Sequence, residues 1–473
     1  MDARAVFTMG GWTPPPGAIV LLAVLMLAIA GSMGFVLKPR AESYKRGVQL
    51  IETRGLRGRA ARLARTYRAG LSVAGVAIPL LDETKHFKFI GTTGTGKSTA
   101  IRELLGAAIR RGDRAVIADP DGGYLARFFE RYRGDVILNP FEAQSLKWDW
   151  FSEIRNSYDV EQLASGLVPS SNDASGQEWR GYARTFLTAV VRRCHQAGWR
   201  DPKELWRLLT VASHEELRPI VAGTPAQPFL DPDNVRMFSS IRSVTGSAVA
   251  AFEYIQAQRA AAFSVREWVR RGAGSGLLFI PYRAGQIAAL RSMIAAWIRL
   301  AIFEAMSRAD EHDQRLWFVV DELDALGAID GLKDALARLR KFGGRCILGF
   351  QSIAQVSSTY GAGDAQTLVE NCGNTLILRC SGSENGGTSH FASKLIGERE
   401  VIRRQLARGR DREGLFSARG ARRSTNISEQ RVTELAVLPS ELERLPDLCG
   451  FLKKASSPAW FKVSLRRRQD GGS

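Results

Sequence analysis

Three groups of polar residues, each at the end of an apolar run, carry the chemistry available to this chain. The first is Gly91-Thr92-Thr93-Gly94-Thr95-Gly96-Lys97-Ser98-Thr99, which fills every fixed position of the phosphate-binding pattern G-x-x-x-x-G-K-[ST]. Its glycines let successive backbone N–H groups turn inward as an anion nest. A helix opening at the loop adds its positive dipole end. Lys97 can reach the β- and γ-phosphates of a nucleotide, and the Ser98 hydroxyl can join a magnesium shell. The second group is Asp321-Glu322, closing the run Leu316-Trp317-Phe318-Val319-Val320. Downstream of an intact phosphate loop this predicts a Walker B strand. Asp321 would hold Mg²⁺ directly or through water, and Glu322 would position or deprotonate the attacking water. The third is Gln351, after Arg345-Cys-Ile-Leu-Gly-Phe350, placed to touch a γ-phosphate or orient water, or else to cap a helix. Together these residues predict ATP hydrolysis with ATP and Mg²⁺ as cofactors.

For such residues to meet, their runs must lie side by side as strands. Apolar strand patterns at 86–90, 114–119, 135–138, 276–280, 316–320, 345–350 and 374–379 alternate with helical patterns at 100–111, 124–132, 284–307 and 330–342. That order predicts an α/β fold with a mainly parallel sheet and right-handed crossovers. A short strand region at 71–81 leads in. Between 152 and 271 the periodicity is mostly helical, with examples at 179–195, 203–211 and 247–262, and predicts an inserted all-α domain. Its tryptophans and those just before it (Trp148, Trp150, Trp179, Trp199, Trp206) read as core packing rather than base-stacking platforms. The stretch 398–423 is Arg-rich and broken by glycine, and reads as a mobile surface region, either a solvated face or the lining of a polyanion path.

With 473 residues the chain can bury a large core, and a formal charge of +18 points to polyanionic partners such as nucleic acid or anionic lipid. The five cysteines are scattered with no C-x-x-C pair, which argues against a disulfide framework or a zinc site and suits a reducing cytoplasm. Residues 18–37 form an uncharged apolar run of about bilayer length. The leader before it carries Asp2 against Arg4 and lacks the basic start of a signal peptide, so the run reads as a membrane anchor. Ten Lys and Arg residues from Lys38 to Arg68 follow, against only Glu42 and Glu52. By the positive-inside rule the bulk of the chain is then cytoplasmic.

Taken in order, Gly91–Ser98, Asn139-Pro140-Phe141, the helical insertion, Asp321-Glu322-Leu323, Gly349-Phe350-Gln351 and Leu438-Pro-Ser-Glu441 with Leu445-Pro-Asp447 resemble the type IV secretion coupling proteins of bacterial conjugation. This TraD/TrwB group lies within the FtsK/HerA class of ring-shaped pumps. The resemblance covers residues 70 to 455. It implies RecA-like P-loop motor domains, anchored in the bacterial inner membrane and assembled as a homo-oligomer, expected to be a hexamer. It further implies transport of single-stranded or double-stranded DNA, with relaxase and relaxosome proteins and the secretion system's inner-membrane components as partners. Arg340 falls where the family places an arginine that reaches the neighbouring subunit's nucleotide. The family commonly has two membrane helices, and only one span is read here. The domains expected are thus 1–17 leader, 18–37 transmembrane helix, 38–70 basic linker, 71–151 with 272–455 nucleotide-binding, 152–271 all-α, and 456–473 polar tail. Two other functions fit less well: a docking receptor for secreted proteins that uses ATP as a switch, and a partitioning translocase on duplex DNA.

Overall fold

The computed structural model describes residues 42–53, 70–171, 173–271, 276–307, 315–384, 386–410 and 423–466. The apolar run 18–37 lies outside them, as do parts of the linker and tail. Among the described residues no helix is long and apolar enough to cross a membrane. The strands, in chain order, begin with β1 (Glu42–Gly47), β2 (Leu50–Glu52), β3 (Leu71–Val73), β4 (Val76–Ile78), β5 (Phe87–Ile90) and β6 (Arg114–Pro120). Next come β7 (Val136–Ile137), β8 (Lys147–Trp148), β9 (Ala262–Phe263), β10 (Leu277–Tyr282), β11 (Leu316–Val320) and β12 (Gly344–Phe350). The last are β13 (Asn374–Ile377), β14 (Glu398–Arg410), β15 (Arg423–Leu435), β16 (Cys449–Lys453) and β17 (Trp460–Ser464).

The larger of two compact units, Val48–Gly397 with Leu435–Ser473, is built on a 10-stranded sheet of order β2-β17-β16-β13-β5-β12-β11-β6-β10-β7. The run from β13 to β7 is parallel throughout, and β16 and β17 add an antiparallel flank. Alternate residues of each parallel strand enter different cores. Phe87, Phe89, Ala115, Ile117, Trp317, Val319 and Ile347 pack with Ala100, Ile101, Leu104 and Leu105 of the helix Lys97–Arg110. Ile90, Val116, Ala118, Phe318, Val320, Leu348 and Phe350 pack on the opposite face with the helix Ile287–Ser307 and the helical block. Burial on both faces is why these strands read as unbroken apolar runs.

Buried polar side chains interrupt that pattern at a few positions. Lys88, in the middle of β5, is buried, and its ammonium donates to the carbonyls of Val369 (2.8 Å) and Cys372 (2.5 Å) at the end of the helix Ala362–Asn371. That cap favours the charge, yet burial pulls the group down to about 8. At the strand-start edge of the sheet, Glu83 takes both Arg111 guanidinium nitrogens (2.7 and 2.8 Å) and Arg345 Nε (2.9 Å). Arg111 also donates to Asp113, which accepts from Trp317 Nε1. These are buried, bidentate, charge-assisted bonds, the strong kind.

The region read as all-α is mainly helical, with helices Asp159–Leu167, Ala174–Gln196, Pro202–Thr210, His214–Val221, Val235–Val249, Phe252–Ala257 and Val265–Arg270. Asp173, Asp201 and Ser213 cap three of them by accepting backbone N–H bonds. The helix expected at 247–262 does not form as one element, and β9 at its far end pairs with β8. Trp148 and Trp150 are buried and Trp179 and Trp206 pack on the core. Trp199 is 46% exposed and is not core packing. The helix expected at 124–132 is a short turn of helix, Leu125–Phe128, and a 3-10 turn, Arg131–Arg133, separated because Phe129 turns extended.

The smaller unit takes its described residues from 42–47 and 398–434. Its sheet has the order β1-β14-β15, so the Arg-rich stretch read as a mobile surface is strand where it is described. Opposite charges offset its arginines: Glu400 pairs with Lys45 and Arg46, and Glu434 with Arg399 and Arg403. The segment read as a polar tail from 456 contains β17, a strand of the central sheet. The segment read as linker contains β2, which pairs with β17.

Candidate nucleotide-binding site

The phosphate loop springs from the end of β5 and enters the helix Lys97–Arg110. Gly94 and Gly96 have φ of 77° and 115°, backbone that side chains resist. Gly96 is the helix N-cap residue, so the N–H groups of the first turn point toward the loop. The loop is pinned from three sides. Gly91 N–H donates to Phe350 O, Thr92 N–H to Arg379 O (2.9 Å), and Leu448 N–H to Thr95 O (2.9 Å). Thr95 Oγ1 closes the loop on Thr92 O at 2.7 Å. Lys97 lies folded over it, donating to Gly91 O (2.6 Å) and Thr92 O (3.3 Å). Burial pulls the Lys97 ammonium below its ordinary value, against the pull of Asp321 and Glu322.

The loop and the acidic strand meet. In the order β5-β12-β11 one strand separates them, about 10 Å at the usual spacing, which side chains bridge. Ser98 Oγ donates to Asp321 Oδ2 at 2.6 Å. Tyr124 OH donates to the same oxygen at 2.8 Å. Asp321 Oδ1 is buried and has no hydrogen-bond partner among the described residues. A hydroxyl beside a carboxylate with one orphaned oxygen fits a hard divalent cation such as Mg²⁺, which takes one or two protein oxygens and completes its shell with phosphate and water.

Gln351 joins the two sides, accepting from Thr93 Oγ1 at 2.7 Å through Oε1 and donating from Nε2 to Glu322 Oε1 at 3.2 Å. Burial first, and then Asp321, pushes the Glu322 carboxyl above its ordinary value. The close approach of β12 to β11 needs Gly349, since a Cβ there would lie 2.2 Å from Asp321 O.

Thr99 continues the first turn of the helix. Arg340 is not brought to the site. It stands exposed at the start of the 3-10 turn Arg340–Phe342, just before β12, whereas Gln351 follows that strand's far end. The seven residues of β12 put about 23 Å of strand between them. Sequence reasoning missed Tyr124 and Asp119. Asp119 ends β6 and accepts backbone N–H bonds from Tyr124 (2.9 Å) and Leu125 (2.6 Å); burial raises its carboxyl to about 6. Pro120-Asp-Gly-Gly123 is a turn sequence, but nothing in its spacing signals which strand the tyrosine will reach.

Comparison with known proteins adds independent findings. A family model described as the type IV secretion-system coupling protein DNA-binding domain matches residues 70–466. The coupling protein TraD of Escherichia coli (strain K12) is 29% identical over 394 residues, covering 81% of this chain and 53% of TraD. The chain thus spans about half the length of the curated relatives it matches. Structures of the plasmid coupling protein TrwB, one in complex with the non-hydrolysable ATP analogue ADPNP and one with ADP and Mg²⁺, match with a TM-score of 0.78 at 31% identity. The match covers 90% of this chain and 95% of TrwB.

Proposed function

Since this chain belongs to the type IV secretion-system coupling proteins, we propose that it is an ATPase driving DNA translocation in conjugative transfer. The observation that carries the reading is the convergence of Ser98, Asp321, Gln351 and Glu322 on the phosphate loop. The TrwB complexes with ADPNP and with ADP and Mg²⁺ support it. In this reading the loop N–H groups and Lys97 bind the β- and γ-phosphates, the lysine exchanging its own loop's carbonyls for phosphate oxygens. Glu322 orients and deprotonates the attacking water, and Gln351 senses the γ-phosphate through its bond to Thr93. Magnesium, held by Ser98 and Asp321, would supply charge neutralisation across the β- and γ-phosphates.

Family membership supports the finer assignments of this reading. The segments 71–151 and 272–455, completed by β17, form the nucleotide-binding domain, with 152–271 as the inserted helical domain. Residues 18–37 anchor the chain in the inner membrane. The working form is a ring, expected to be a hexamer, passing relaxase-bound DNA to the secretion channel. Arg340 then acts on the neighbouring subunit's nucleotide, its place at the far edge of its own sheet leaving it free for that contact. The strand is gripped mainly by phosphate contacts, so binding weakens steeply with salt.

The test is ATP turnover with and without single-stranded DNA, in the wild type and in Lys97→Ala. Stimulation by DNA, and its loss in a folded Lys97→Ala variant, are expected. A turnover indifferent to DNA would sink the pump reading, and normal turnover in the variant would sink the site assignment.

A further inference from the structure

Tyr124 lies outside all three sequence groups, yet its hydroxyl ends on the carboxylate assigned to the metal. We propose that Tyr124 is a positioning residue for magnesium, fixing the Asp321 carboxylate so that Oδ1 stays presented for coordination. The inference rests on the nucleotide-site reading above and adds a residue to it.

The geometry leaves the side chain little freedom. Tyr124 is 1% exposed. Its backbone N–H is held by both oxygens of Asp119 (2.9 and 3.1 Å), and Arg102 lies over its ring with the guanidinium carbon 5.4 Å from the centroid. A buried phenol needs a hydrogen-bond partner, and here the partner is Asp321 Oδ2 at 2.8 Å. That oxygen also accepts from Ser98. Ser98 can offer a lone pair to the metal while its O–H still donates to Asp321, so Oδ2 keeps two donors. Tyr124 is the one of them that is not itself a proposed ligand. It keeps the carboxylate from rotating and leaves Oδ1, the oxygen with no protein partner among the described residues, turned to the cation. Outer partners of this kind typically change metal affinity by 10-fold or more when removed.

Tyr124→Phe keeps the ring and its packing and removes only the donor. The full-length chain is titrated with a fluorescent ADP at fixed protein concentration, first in EDTA and then across a magnesium chloride series, with thermal melting measured alongside. Expected for Tyr124→Phe is an unchanged affinity for ADP in EDTA, with the Mg²⁺ midpoint raised about tenfold. A lower melting temperature with an unchanged midpoint would overturn the proposal and mark the hydroxyl as a structural partner only. If the wild type binds no ADP, the nucleotide-site reading fails and this inference with it; if it binds ADP with an affinity that does not respond to Mg²⁺, the metal assignment and this inference fail while the nucleotide site stands. A wild type that responds and a variant with the same midpoint sinks the inference alone.

Discussion

His86, at the entrance to β5, is held by two bonds that allow one neutral tautomer. Its Nδ1 accepts from Cys346 N–H at 3.1 Å and its Nε2–H donates to Leu336 O at 2.9 Å. Burial, with Arg340 and Arg345 nearby, pulls its pKa from 6.5 down to about 4. In the unfolded chain the ring takes a proton as pH falls through 6.5, whereas in the fold it resists until about 4. Stability is therefore fully present above pH 6.5 and is lost across the window from 6.5 to about 4, on the order of 3 kcal/mol from this group. His86→Gln, which can donate and accept but does not titrate, should show a shallower fall in melting temperature between pH 7 and 4.5. Parallel curves for the two proteins would mean that other groups set the acid limit.

Among the elements, β12 has the least room for change. Gly349 lets its backbone run against Asp321, and Leu323 N–H donates to Gly349 O at 2.9 Å. In Gly349→Ala the new methyl must push β12 away from Asp321, at a cost of about 1–3 kcal/mol. Loss of both melting temperature and ATP turnover is expected. A variant with wild-type values of both would show that the two strands separate freely. The same strands were the legible part of the sequence. β11 and β12 are covered on both faces, so each reads as a largely apolar run ending on its polar residue, and β5 was marked by the phosphate loop that follows it. β14 and β15 were not legible, because neighbouring arginines erase the alternation that marks a strand, and their acidic partners Glu400 and Glu434 are distant or few. β17 was missed because Lys462 and Ser464 make a short strand resemble a tail. The contact of Tyr124 with Asp321 depends on sheet order, which no local pattern records.

For the whole molecule, the distance of Arg340 from its own phosphate loop sets a test of the ring. If Arg340 serves a neighbour, Arg340→Ala and Lys97→Ala should each abolish most turnover, and mixing the two should restore part of it. Some interfaces in the mixture would pair an intact loop with an intact arginine. Full turnover by Arg340→Ala alone would remove it from the mechanism. The buried cluster at the strand-start edge constrains what such a ring can do. Glu83 ties Arg111, at the tail of the helix that begins with Lys97, to Arg345, at the head of the strand that ends in Gln351. Helix and strand are thus joined at both ends, by the Glu83 clasp at one and by the Gly91–Phe350 and Thr93–Gln351 bonds at the other, which fixes the spacing between Lys97 and Gln351.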